Sequence, residues 1–179
     1  MRWNQTVMLG MVAVLVGCDC VTSSHPVGDE VSSIEISDWE GQWSFTGESG
    51  KVLVIEVEDP TNALLKVTTF PRDSESPPPS TALLRSTGDD VFVSIAINPT
   101  QDKFLWFKVA NHGDSMLVWL PDAPKLGQLV DDGVLPGKTV DRNVELEWLS
   151  AENLALIASE EEGVLFDWKN PWVLRRVSR

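Results

Sequence analysis

From Trp43 onward, apolar and polar side chains alternate with a period of two, the pattern of half-buried strands. Trp43 and Phe45 stand between polar neighbours. Leu53, Ile55 and Val57 share one face, and Glu56 and Glu58 share the other with Val52 and Val54. Asp59-Pro60-Thr61-Asn62 predicts a turn, and Ala63 to Phe70 a second strand of the same hairpin. Leu83-Leu84, Val91 to Ile97, Phe104 to Val109 and Met116 to Leu120 predict further strands. The clusters Gly88-Asp89-Asp90, Asn98-Pro99-Thr100 and Asn111-His112-Gly113-Asp114 separate them. Val144, Leu146 and Trp148 alternate with Glu145 and Glu147, and Trp172 to Val177 offers a last strand. Pro71 to Ser80, with Pro77 to Pro79 in a row, lacks the amide donors of a sheet and predicts an exposed loop.

Two strands break the alternation: Phe104 to Phe107 and Met116 to Leu120 are consecutively apolar, which predicts burial on both faces. One face lines a core, and the other lies under a helix, a ligand or a partner protein. Helical spacing enters late, with Asp122 capping a segment from Ala123 that has Pro124 in its first turn, and Ser150 capping Ala151 to Ser159. Glu160 to Glu162 oppose the dipole at the end of that second helix and predict fraying there. The expected fold is mainly β, an antiparallel meander forming a barrel or strongly curved sheet, with one or two short helices in the C-terminal third.

Before this pattern, Arg2 precedes an almost wholly apolar run from Val7 to Val16, the layout of a signal-peptide core. The run is shorter than the ~20 residues a spanning helix needs. It closes on Leu15-Val16-Gly17-Cys18, which resembles the lipobox of bacterial lipoproteins. That resemblance implies a signal peptide over 1–17, cleavage before Cys18, and lipid on the Cys18 thiol. It also implies an extracytoplasmic chain held on a bacterial membrane. Acylation of the new amino group as well would make the anchoring durable, since one chain holds only reversibly. Asp19 is similar to the residue that retains enteric-type lipoproteins at the periplasmic face of the inner membrane. Residues 18–37, dominated by Ser, Thr, Pro, Gly and acid, are expected to be a lipidated flexible tether, and 38–179 a single β-rich domain. With Cys18 lipidated, Cys20 has no internal disulfide partner. It is a second acylation site, an intermolecular disulfide or an incidental thiol.

The chain has 14 basic and 27 acidic residues, a formal charge of -13 that repels a phosphate backbone and argues against a nucleic-acid partner. Groups for catalysis are few. His25 and His112 are the two histidines, and no nucleophile motif surrounds Ser94 or Ser115. Glu56/Glu58, Glu145/Glu147, Asp89-Asp90 and Asp131-Asp132 read as solvated surface, without the spacing of a calcium loop or a zinc ligand set. The expectation is a protein that is not an enzyme and uses no cofactor or metal.

Tryptophan changes the picture, with eight in the chain and no tyrosine. Core packing is the ordinary use of an indole, and ligand cavities and interfaces are the others. Trp39-Glu40-Gly41-Gln42-Trp43 is similar to the Gly-X-Trp signature with which lipocalins open an eight-stranded barrel. That likeness implies that Trp43 plugs the closed end, with Arg176 packing over it. The Trp172-Val173-Leu174-Arg175-Arg176 tail resembles a broad set of small bacterial lipoproteins, a likeness that implies no activity. Trp43, Phe104, Trp106 and Trp119 are the candidate ligand or partner surface. The expected function is a membrane-anchored lipoprotein whose binding domain holds an apolar small molecule or an envelope protein. The alternative is a structural or envelope-assembly lipoprotein acting through protein contacts, and the oligomeric state stays open.

Overall fold

A computed structural model describes residues 19–31, 35–47, 51–71, 79–97, 102–159 and 165–178. The expected signal peptide, Cys18, the proline triplet's first two members, the Asn98 to Thr100 turn and the Glu160 to Glu162 run lie outside the described residues.

Eight strands close into an antiparallel barrel: β2 (Gly41–Phe45), β3 (Lys51–Asp59), β4 (Leu64–Pro71), β5 (Ser80–Thr87), β6 (Asp90–Ala96), β7 (Phe104–Asn111), β8 (Ser115–Trp119) and β11 (Trp172–Ser178). β2 through β8 pair in sequence order, and β11 closes the ring between β8 and β2. Register brings the inward positions together. Trp43 lies opposite Leu53, Ile55 opposite Val67, Val93 opposite both Leu84 and Phe107, and Leu174 opposite both Phe45 and Met116. The inward residues Trp43, Ile55, Leu65, Ala82, Leu84, Val109 and Leu174 are buried. Alternation read from the sequence is thus the inside and outside of a closed wall.

The doubly apolar β7 has a core on each side. Phe107 and Val109 face the barrel, while Phe104 and Trp106 face outward and are buried nonetheless. A lobe covers that outer face, built from β1 (Val21–Ser23), α1 (Ala123–Asp131), β9 (Gly137–Val140), β10 (Asn143–Leu146) and α2 (Ala151–Ala158). Its core joins Trp106 and Phe92 to Leu126 and Val130 of α1, Leu154 and Ile157 of α2, and Phe166. The outer face therefore lies under helices. Asp122 accepts from the Lys125 amide at 3.1 Å, and Ser150 and Asn153 form a reciprocal capping pair, so both helices start where their caps stand. Among the described residues no helix is long and apolar enough to cross a membrane.

The N-terminal segment corrects the expectation of a tether over 18–37. β1 runs parallel to β10 and antiparallel to the first half of β7, whose second half pairs with β8. Val21, Thr22, Ser23 and Val27 are buried, and the Val27 amide donates to Ser94 Oγ at 3.0 Å. Gly28 has φ +100°, and a Cβ there would stand 2.6 Å from Arg85 Cβ, so the close approach requires glycine. Without β1, edge groups of β7 and β10 would be left unpaired inside the lobe. The folded unit begins near Cys20, about twenty residues before the expected start at 38.

Lys108 shows what the lobe encloses. Its side chain points outward from β7 and is 6% exposed, with Nζ 2.6 Å from Asp90 and 4.8 Å above the Trp168 ring. Removing one partner strands the other, so Asp90→Asn is expected to cost about 2 kcal/mol in urea unfolding, less than for a fully enclosed pair. Lys108→Met removes the buried charge itself and is expected to cost less than Asp90→Asn; the reverse order would contradict this reading of the pair.

Candidate functional site

The barrel's two ends differ. At one, Gly41 (φ +133°) turns the chain out of the 3-10 helix Ile36–Trp39 and into β2, delivering Trp43 to the barrel axis. Trp43 is fully buried, and its Nε1 donates to the Trp39 carbonyl at 3.0 Å. Arg176 on β11 lays its guanidinium 4.3 Å from the Trp43 ring centroid. The same group donates to the carbonyls of Gly113, Glu40 and Asp38. Asn111 Nδ2 also donates to Asp38, at 2.8 Å. One cation thus ties together the β7–β8 turn, the segment entering β2 and the last strand. Trp43 and Arg176 stand stacked together and close this end.

At the other end, where β2 finishes and β11 begins, the inward face carries Phe45, Phe107 and Trp172. Trp172 lies 6.1 Å from Phe45 and 6.2 Å from Phe107, centroid to centroid. Trp172 is 38% exposed, and Phe45 and Phe107 are half-buried. An aromatic trio on the inner wall therefore meets solvent.

The four aromatic residues singled out from the sequence do not form one surface. Trp43 seals the closed end, and Phe104 and Trp106 sit under the lobe with at most 4% exposure, out of reach of a partner. Trp119 is half-buried against Trp168 at 5.1 Å. The reason is that β7 is a wall shared by two cores, so its outward indole is packed as tightly as an inward one. Sequence reasoning placed Trp172 on a strand but not on a face. Register with Val118 supplies the face, and the sequence signal was the alternation of Trp172, Leu174 and Arg176.

Several titratable groups are engaged in local pairs. Glu145 is held below the usual carboxylate range by hydrogen bonds from Lys103 and then Lys138. Glu56 pairs with Lys66 at 2.9 Å, and His25 sets its ring edge-on to Trp148 at 4.7 Å. Burial raises the Cys20 thiol. One cleft of about 440 Å³ lies outside the closed end, lined by Asp38, Glu40, Gln42 and Glu56; another of about 170 Å³ lies beside Lys103, Lys138 and Glu145. Among the described residues no three His, Cys, Asp or Glu side chains gather as a metal set.

The fold defines a closed eight-stranded antiparallel barrel carrying a mixed lobe on one wall. Compared with family models, curated protein sequences and solved structures, the chain finds no match.

Proposed function

We propose that this protein is a membrane-anchored, non-enzymatic binding protein whose barrel takes an apolar small molecule, or an apolar group of an envelope protein, at the end bearing Phe45, Phe107 and Trp172. The carrying observation is the asymmetry of the inner wall: Arg176 locks Trp43 at one end, while an inward-facing indole is 38% exposed at the other. Aromatic side chains half in water gain most from a ligand that completes their burial. Lipid on Cys18 holds the protein at an extracytoplasmic membrane face, a reading that rests on the lipobox and the apolar run before it. A second reading, assembly through protein contacts, is supported by Trp148 and Val134, which are 67% and 48% exposed on the lobe.

The test is tryptophan fluorescence of the chain from Asp19 to Arg179, titrated with fatty acids, phospholipids and haem. Saturable quenching or a blue shift is expected, lost in Trp172→Ala without loss of fold. A flat response across the panel would reject the small-molecule reading and favour protein contacts.

A further inference from the structure

The segment that follows the lipobox is fixed to the fold from its first residue. Asp19 is held by Arg142, whose Nη2 donates to Oδ2 at 3.0 Å and whose Nε stands 2.6 Å from Oδ1 as an ion pair. The Cys20 amide donates to Asn143 Oδ1 at 3.2 Å, and the Cys20 carbonyl accepts from the Val144 amide at 2.8 Å. Val21 then enters the sheet opposite Val144. All of these partners belong to the β9–β10 hairpin or the strand leaving it. Cys18 is the residue next to Asp19, and consecutive α-carbons are only about 3.8 Å apart. An acyl chain on Cys18 therefore starts within a residue's reach of the hairpin turn.

The hairpin's chemistry suits that position. Around the turn Lys103, Lys138 and Arg142 stand against Asp19, Asp141 and Glu145, with Arg142 paired to Asp19 and both lysines to Glu145, a local balance in a chain of 14 basic to 27 acidic residues. Val140 is 43% exposed beside them. An anionic leaflet repels the acidic remainder of the domain, so the charge-balanced face beside the anchor is the one left to meet the lipid.

We infer that the β9–β10 hairpin lies against the surface of the bilayer that holds the Cys18 lipid, so that the domain stands on the membrane in one orientation. The inference rests on the reading of Cys18 as the lipid attachment site. The barrel wall four strands from β7, made by β3, then faces away from the lipid.

The full chain, produced with its own N-terminus in a bacterium, is reconstituted in vesicles of phosphatidylglycerol and phosphatidylethanolamine that contain headgroup-level quencher lipids. In a Cys20→Ser background, a fluorophore is placed by Val140→Cys on the hairpin or by Asn62→Cys on the β3–β4 turn. Quenching at position 140 is expected to exceed that at 62 severalfold. A six-residue Gly-Ser insertion after Asp19 is expected to abolish the difference. Unsubstituted protein, measured by hydrogen exchange, should show residues 138–143 protected on vesicles relative to detergent, a readout independent of the labelled variants. Equal quenching at both positions in acylated, vesicle-bound protein, with no change in exchange, would overturn the orientation and leave the lipid assignment intact. Protein with no acyl mass on the Cys18 peptide and free of vesicles would overturn both.

Discussion

Replacing Trp43 with alanine is expected to lower the unfolding free energy by about 4 kcal/mol in a urea titration, within the range for emptying a buried aromatic site. Three losses coincide at this residue. A fully buried indole leaves the barrel axis, the Nε1 donation to the Trp39 carbonyl disappears, and Arg176 loses the ring on which its guanidinium lies. The surrounding strands form a closed ring and cannot collapse into the space as an open sheet could. For a domain of roughly 150 residues, a loss of that size lowers the thermal midpoint by about 10 °C. Arg176→Ala leaves the indole in place but frees the carbonyls of Asp38, Glu40 and Gly113, and is expected to cost about 2 kcal/mol. If Trp43→Ala costs under about 1 kcal/mol, the closed end is not the keystone of the barrel.

Trp106 separates the contribution of ring packing from that of the indole N–H. Both Trp43 and Trp106 are fully buried, yet Trp43 Nε1 has a carbonyl partner and Trp106 Nε1 has none among the described residues. A buried donor without a partner carries a desolvation penalty of about 1–3 kcal/mol. Trp106→Ala empties the centre of the lobe core, where Phe92 and Phe166 pack edge-on against the indole, and is expected to cost about 4 kcal/mol. Trp106→Phe keeps most of the ring volume and removes the orphan donor, so its cost is expected to be at most about 1 kcal/mol. Trp43→Phe, which forfeits a satisfied hydrogen bond, should cost at least about 1 kcal/mol more than Trp106→Phe. Equal losses from the two phenylalanine substitutions in denaturant titrations would show that the N–H at Trp106 carries no penalty.

Much of the barrel was legible because its strands are long enough to show a period. Leu53, Ile55 and Val57 display an inward face without any knowledge of their partners, and turn clusters such as Asp59 to Asn62 mark where one strand ends. The closed end was legible too, through Gly41, Trp43 and Arg176. The double burial of β7 showed in its unbroken apolar run, although nothing local said whether helices, a ligand or a partner would cover it. β1 was not legible. Val21-Thr22-Ser23 is too short to alternate, lies among Ser, His, Pro and Gly, and owes its place to the gap between β7 and β10. β9 was missed for a similar reason, since Gly137-Lys138-Thr139-Val140 is mostly exposed and is held by pairing with β10. The aromatic trio at the barrel's other end depends on strand register. Phe45, Phe107 and Trp172 come from three separated stretches, and only the closure of β11 against β2 and β8 brings their rings together.

The parallel pairing of β1 with β10 sets an order on how the chain can assemble as it is made. Val21 meets Val144 and Ser23 meets Leu146, partners separated by 123 positions of sequence. A ribosome delivers residue 21 long before residue 144, so β1 must wait, unpaired on that edge, while nearly the whole barrel emerges. Local hairpins from β2 through β8 can zip in sequence, each with its neighbour already in hand. The ring, however, shuts only when the last strand arrives to join Leu174 to Phe45. Val21 to Ser23 are thus made long before the strand that secures them, and chaperones or proteases would meet them in that interval.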